Sequence, residues 1–385
     1  GSKFRARLYG DAGKKILVGS RDGKIVIPIK QWKALLAANV GGSVHVDVFA
    51  HSAENGWQRF ETFSNQIAED PIDPYVVYRI MDGPNHFIRP DMTTVERHLE
   101  SFGERGIWTS TEGSCTNCHT FTNNSPDRML IHLRGTDGTA MVWAEGDTIK
   151  KIDTRTSFNP PLGFTAWHPT GRVAAFSTNM LRLLHKSTGQ SRANIDYKSD
   201  VGLYLLEENK IVSTGDLSNP NRRETYPTWT PDGKTLYFAS GDQPWPDGTG
   251  DDMTIPPIHR YVKYDLMRID YDIDTGEWGE LELVLSGDEI GVSVSAPRIS
   301  YDGRFLLFLG APYGAFPTYL NGDLYMLDIA TGEHWPLDEA NSEQTDMRNS
   351  WSLNSRWIIF ASKRRDGLFA KLYIAHIDAK GLASK

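Results

Sequence analysis

The stretch richest in chemistry runs Gly113-Ser114-Cys115-Thr116-Asn117-Cys118-His119-Thr120, and it holds both cysteines of the 385-residue chain. Cys-x-x-Cys-His is the spacing of c-type haem attachment. Two thiols add to the haem vinyl groups, and the adjacent imidazole lies under the iron as proximal ligand. Cys115, Cys118 and His119 would then hold one covalent haem c. Three other chemistries use the same residues. Structural zinc wants four ligands, usually two pairs, and this chain has one cysteine pair. A redox dithiol of the thioredoxin kind wants a βαβ setting that is absent here. A short disulfide or an idle thiol pair stays open.

A second axial ligand must come from elsewhere. His132 stands in a strand slot filled by Ala175, Tyr237, Leu307 and Ile359 in the repeats described below. It reads either as the axial ligand or as a buried histidine satisfied by a backbone carbonyl. His168 replaces the hydroxyl residues Thr230, Ser300 and Ser352 at a repeated turn and is the second candidate. Met129 and Met141 are nearby thioethers, which also read as strand core; thioether ligation would raise the haem potential relative to imidazole. Arg134 would pair with a haem propionate or lie on the surface. The run Asp247-Gly-Thr-Gly-Asp-Asp252 is oxygen-rich, as a Ca²⁺ loop is, and equally suits a polar insertion. There is no Gly-x-Ser-x-Gly, His-Glu-x-x-His or P-loop.

Composition narrows the classes. A net charge of -8 leaves no basic surplus to neutralise phosphates, which argues against a nucleic-acid partner. Mean hydropathy is -0.43 and no apolar run approaches 18 residues, so no membrane span is expected. Gly1-Ser2 reads as a remnant of expression, so an export signal is expected to have preceded it.

Residues 3–83 read as short strands and turns, a small immunoglobulin-like β-sandwich. Lys15–Val18 and Lys24–Ile29 flank an Arg21-Asp22-Gly23 turn. Gln31–Ala38 reads as a short helix, and Val44–Phe49 alternates so that His45 and Asp47 face out. Residues 84–110 read as a linker whose Thr93-x-x-Glu96 capping box starts a short helix ending at Gly103. Residues 111–385 repeat. Trp167-His-Pro-Thr-Gly-Arg-Val-Ala-Ala-Phe176 recurs as Trp229–Phe238, Ile299–Phe308 and Trp351–Phe360, each a turn followed by a buried strand. Self-similarity at this period, all strand and turn, predicts a β-propeller of five or six blades. A degenerate copy at Ser125–Leu133 puts the cysteine segment at the entry to the first blade. The fold class is therefore all-β.

The Trp-x-Pro-Asp-Gly-Lys turn resembles the repeat of TolB-like (PD40, WD40-like) propellers. The text at Ile67–Arg79, Cys115–Phe121, Met129–Gly135, Trp167–Ser177 and Asn349–Arg364 resembles exported members that carry one Cys-x-x-Cys-His segment. That resemblance implies a periplasmic or outer-envelope location, covalent haem on Cys115, Cys118 and His119, and His132 in a matching His-x-Arg-Gly stretch. The chain departs at Met347-Arg-Asn-Ser-Trp351, where a His is expected just before Ser-Trp. The expected function is an exported mono-haem cytochrome for electron transfer or redox sensing, with a redox or envelope protein partner. The alternatives are a non-catalytic envelope scaffold docking a protein or glycan, and a propeller enzyme acting on saccharide or peptide.

Overall fold

The computed structural model describes residues 3–81, 92–101, 103–110, 114–134, 140–152, 162–184, 193–244, 257–314 and 322–384. Contacts divide the chain into two compact units, 1–76 with 97–104, and 77–96 with 105–385. No helix among the described residues is long and apolar enough to cross a membrane.

The first unit contains β1 (Lys3–Gly10), β2 (Ile16–Ser20), α1 (Ile29–Ala37), β3 (Ser43–Ser52), β4 (Gly56–Arg59) and β5 (Phe63–Gln66). They form one sheet in the order β2-β1-β3-β4, with β5 also pairing β3. Strand alternation puts Ala6, Leu8, Val44 and Val46 on one face, and α1 covers that face with Leu35. The second layer is thus a helix rather than a second sheet, which corrects the expected immunoglobulin-like sandwich. Lys24–Ile29 forms no strand. Ile25 and Ile27 instead pack onto the same core from a loop, and Pro28 starts α1 where its missing N–H costs nothing. On the opposite face Asp47 is buried under Arg7 and Arg59. Arg7 Nε donates to it at 2.7 Å, Arg59 Nη2 at 2.7 Å and Thr62 Oγ1 at 2.6 Å.

The remaining strands form six sheets. β6 (Tyr75–Met81), β7 (Met92–His98) and β8 (Glu104–Thr109) make a three-stranded sheet in that order. The expected linker helix is therefore a strand. Thr93, Thr94 and Val95 are β-branched and lose χ1 freedom in a helix. Glu96, the intended capping partner, pairs with Arg105 at 2.9 Å instead.

Four four-stranded sheets follow. The first is β9 (Cys115–Phe121), β10 (Arg128–Arg134), β11 (Ala140–Glu145) and β12 (Thr148–Ile152). The second is β13 (Leu162–Trp167), β14 (Val173–Leu184), β15 (Ala193–Leu205) and β16 (Lys210–Val212). The third is β17 (Arg222–Trp229), β18 (Thr235–Asp242), β19 (Asp265–Tyr271) and β20 (Trp278–Leu285). The fourth is β21 (Ser293–Ile299), β22 (Phe305–Ala311), β23 (Asp323–Asp328) and β24 (His334–Pro336). A three-stranded sheet, β25 (Asp346–Trp351), β26 (Trp357–Ser362) and β27 (Lys371–His376), ends the chain.

This is a β-propeller. Each apolar cluster lies between consecutive sheets: Leu130 and Met141 pack with Leu162 and Phe176, and Val201 and Leu203 with Leu236 and Phe238. Leu306 and Phe308 pack with Tyr237 and Leu266, and Phe305 and Leu307 with Ile358 and Phe360. No sheet could bury both faces alone, so the stack itself is the source of stability. The last sheet comes back to the sheet of β9, because Asn124 Nδ2 donates to Trp351 O at 3.0 Å. The repeated turns keep their chemistry. Thr230 Oγ1 donates to Asp232 and Ser300 Oγ to Asp302, each at 2.6 Å, with Gly233 and Gly303 in the left-handed region. In the last copy Ser355 takes that glycine position at φ 58°.

Candidate functional site

The first strand of each four-stranded sheet, and β25, carries a bulge at the same height. The pairing register slips between Ile131 and Leu133 on β10, so that one residue of β10 opposes two of β9. It slips equally at Gly163/Ala166, Thr225/Thr228, Ser295/Arg298 and Met347/Ser350. The bulged pairs are Asn117-Cys118, Phe164-Thr165, Tyr226-Pro227, Ala296-Pro297 and Arg348-Asn349. Phe164, Tyr226, Ala296 and Arg348 have φ of 51°, 56°, 48° and 53°. A left-handed non-glycine residue costs about 1–2 kcal/mol, so the repetition marks a backbone shape imposed by the sheets.

The Cys-x-x-Cys-His segment is the β9 copy of this bulge. That changes the position of His132, which opposes the Asn117-Cys118 bulge. Its structural equivalents are Phe176, Phe238, Phe308 and Phe360, not Ala175, Tyr237, Leu307 and Ile359. The connection before β10, residues 122–127, is one residue longer than the five-residue turns at 168–172, 230–234, 300–304 and 352–356, so the turn residues are no guide to the strand register. His132 is buried, 3% exposed. A carbonyl only accepts, so its Nδ1–H donates to Leu162 O at 2.6 Å. Nε2 is then the acceptor for Thr165 Oγ1 at 2.8 Å. Both ring nitrogens are occupied by β13, as the buried-histidine reading anticipated.

The expected haem ligands do not converge. Cys118 turns to β13, where Phe164 N donates to its Sγ at 3.4 Å. His119 turns the other way, and its Nε2 donates to Val77 O of β6 at 3.2 Å. Burial, with Arg79 and Arg348 nearby, lowers its pKa to about 4, so the ring is neutral. Met129 lies on the His119 face, buried among Ile131, Leu133 and Val142. Met141 packs on the opposite face beside Leu130. His168 sits in the next sheet: Nε2 donates to Gly233 O at 2.9 Å, Nδ1 meets Thr170 Oγ1 at 2.8 Å, and burial lowers its pKa. Cys115 and Arg134 are backbone partners on β9 and β10, with side chains outside the described residues. The acidic run 247–252 is also outside them. A c-type haem needs a thiol and the imidazole Nε2 on one side of the porphyrin edge. In this strand Cys118 and His119 face apart and Nε2 carries the proton, so the residues as folded do not fit the group. Among the described residues no group of three or more His, Cys, Asp or Glu is placed to hold a metal ion.

The bulges bring together a set that sequence spacing does not reveal. Arg298 of β21 reaches across to Pro227 O of β17 at 3.5 Å and bonds Pro297 O at 2.9 Å, while Cys118 of β9 acts on its charge. Arg348 of β25 acts electrostatically on both His119 of β9 and Tyr226 of β17. The Phe164 ring meets Tyr226 edge-on at 4.5 Å. Strands from six sheets therefore meet here, since Arg79 of β6 also donates to Thr116 O at 2.9 Å. Several buried polar atoms in this ring have no partner among the described residues: Thr116 Oγ1, Tyr226 OH, Ser295 Oγ, and both side-chain polar atoms of Asn349. Asn349 is the position just before Ser350-Trp351 at which a histidine is expected from the sequence resemblance.

Beside the ring lies a buried charged group. Arg223 donates to Asp196 O at 2.7 Å and packs over Tyr264, whose OH donates to Asp196 Oδ2 at 3.3 Å. Burial raises Asp196 to about 6 and Glu224 to about 8. Glu224 Oε1 accepts from Ser240 Oγ at 3.2 Å.

No protein-family model matches the sequence, and no protein of curated function matches it. Solved structures do resemble it. A luciferin-regenerating enzyme shares 11% identity and a TM-score of 0.46, over 74% of this chain and 84% of that one. An oligogalacturonate lyase from Vibrio parahaemolyticus shares 12% identity and a TM-score of 0.45, over 95% and 86%. A nidogen/laminin complex shares 10% identity and a TM-score of 0.45, over 77% and 89%. Likeness at this level carries no argument about what the chain does.

Proposed function

We propose that this propeller is a binding scaffold whose site for a small polar ligand is the ring of inner-strand bulges. One observation carries the reading: buried polar atoms without partners recur at the bulges, in Thr116, Tyr226, Ser295 and Asn349. A buried donor or acceptor left unpaired costs about 1–3 kcal/mol, and four such residues at one level are expensive unless something binds there. The side chains named in the ring are hydrogen-bond donors and acceptors suited to holding a ligand, and the reading is one of binding. It does not route through a haem, because Cys118 and His119 face apart.

The test is a thermal-shift screen of sugars, amino acids and small organic acids, followed by calorimetry on any hit. A saturable ligand whose affinity falls at least tenfold in Asn349→Leu and in Tyr226→Phe is expected. Binding unchanged in both variants would overturn the reading. The family resemblance supports a cell-envelope location; fractionation of the native host is expected to recover the protein there, and recovery in the cytoplasm would remove that part.

A further inference from the structure

We infer that the group bound in this ring is an anion, a carboxylate or phosphate, held by Arg298, with Arg348 at the β25 bulge adding positive charge to the ring. This rests on the bulge ring being the binding site.

Arg298 carries the inference. It occupies the position of His119, Ala166, Thr228 and Ser350 in the other sheets, and its side chain is half-buried. Only Nη1 bonds within the protein, to Pro297 O and Pro227 O. Nε and Nη2 have no hydrogen bond, and the guanidinium no ion pair, among the described residues. Two carbonyl oxygens do not neutralise a charge, and a cation taken from water without a counter-charge is costly. Desolvation accordingly lowers its pKa, and Cys118 and Tyr301 oppose that only in part.

The surroundings have the same sign. Arg348 stands at the bulge of β25 and acts on His119 and Tyr226. The unpartnered Tyr226 OH and Asn349 Nδ2 add two neutral donors. The carboxylate that acts on Tyr226 is Asp196, which is already engaged by Asn179 at 3.1 Å, by Tyr264 and by Arg223. A planar guanidinium fork with its second edge open matches the two oxygens of a carboxylate or phosphate. A neutral sugar would leave that charge uncompensated.

Calorimetry in a cationic-buffer, low-chloride solution would use inorganic phosphate, malonate and glucose as probes. Saturable binding of phosphate or malonate is expected, weakened at least tenfold by Arg298→Gln and partly restored by Arg298→Lys. Because Arg298→Gln alters a half-buried residue, Arg348→Gln at an exposed position serves as the second variant, with several-fold weakening expected. Anion binding indifferent to both arginines would overturn the inference. Glucose binding without anion binding would overturn it while leaving the bulge ring as the site. Failure of every probe to bind would overturn both.

Discussion

Replacing His132 measures how much of the propeller's stability comes from one side chain. The ring joins β10 to β13 through Leu162 O and Thr165 Oγ1, in a slot that four other sheets fill with phenylalanine. In His132→Ala two hydrogen bonds are lost, at about 0.5–1.5 kcal/mol each, and a buried carbonyl and hydroxyl lose their partners, for a total of roughly 2–4 kcal/mol. In His132→Phe the volume is kept and only the polar part is lost, roughly 1–3 kcal/mol. Unfolding entropy near 2.1 cal/mol/K per residue over a unit of about 300 residues converts 1 kcal/mol into about 1.5 °C. The propeller transition should therefore fall by about 3–6 °C in the alanine variant and by less in the phenylalanine variant. Scanning calorimetry of the full chain reads both. A Tm unchanged in His132→Ala would refute the strap between β10 and β13. A Tm that rises in His132→Phe would show that packing outweighs the two hydrogen bonds.

Other expectations follow from the same geometry. Glu224 and Asp196 have native pKa values of about 8 and about 6, above their unfolded values, so the native state binds more protons between about pH 4 and 8 and stability declines as pH rises through that window. Glu224→Gln should flatten the upper part of this decline in denaturant titrations at pH 5 and pH 8; an unaltered slope would sink the assignment. Asp47 behaves oppositely. Thr62, then Arg7 and Arg59, hold its pKa at about 2, so its contribution is intact above pH 4 and fades as pH falls towards 2. Asp47→Asn should remove that acid sensitivity from the first unit, followed by tryptophan fluorescence. Protein made alongside haem-attachment machinery should give a colourless fold, because β9 separates Cys118 from His119. One covalent haem per chain in a pyridine haemochrome assay would show instead that β9 is rebuilt around the group.

What could be read from residues alone was the part written in repeated chemistry. A turn glycine, a basic residue, three strand residues and phenylalanine, repeated along the chain, announce the blades. Two misreadings had local causes. The four residues Thr93–Glu96 satisfy a capping pattern, but a pattern that short is outweighed by a β-branched run that can pair with neighbouring strands. Ile131, rather than His132, aligns with Ala175 because the connection at 122–127 differs in length from its five-residue counterparts and moves the register. The bulge ring was illegible for a deeper reason. Phe164, Tyr226, Ala296 and Arg348 share a backbone conformation and no side-chain chemistry; only Pro227 and Pro297, awkward in a paired strand, hinted at it. The Cys-x-x-Cys-His spacing is likewise the same string on a helix, a loop or a strand, and only the strand decides that Cys118 and His119 point apart.

The left-handed residue at each bulge has an evolutionary corollary. Its conformation is dictated by the sheets on either side, and phenylalanine, tyrosine, alanine and arginine all accept it. Phe164 and Tyr226 pack in a small cluster of their own with Ala239 and Tyr264, apart from the large layers between sheets. A lineage could exchange one occupant at a time, altering what the ring recognises without renegotiating the framework. Recognition would then drift quickly among relatives whose blades stay alike. Shared architecture in this group should be a poor guide to shared ligands, and the bulge residues a better one.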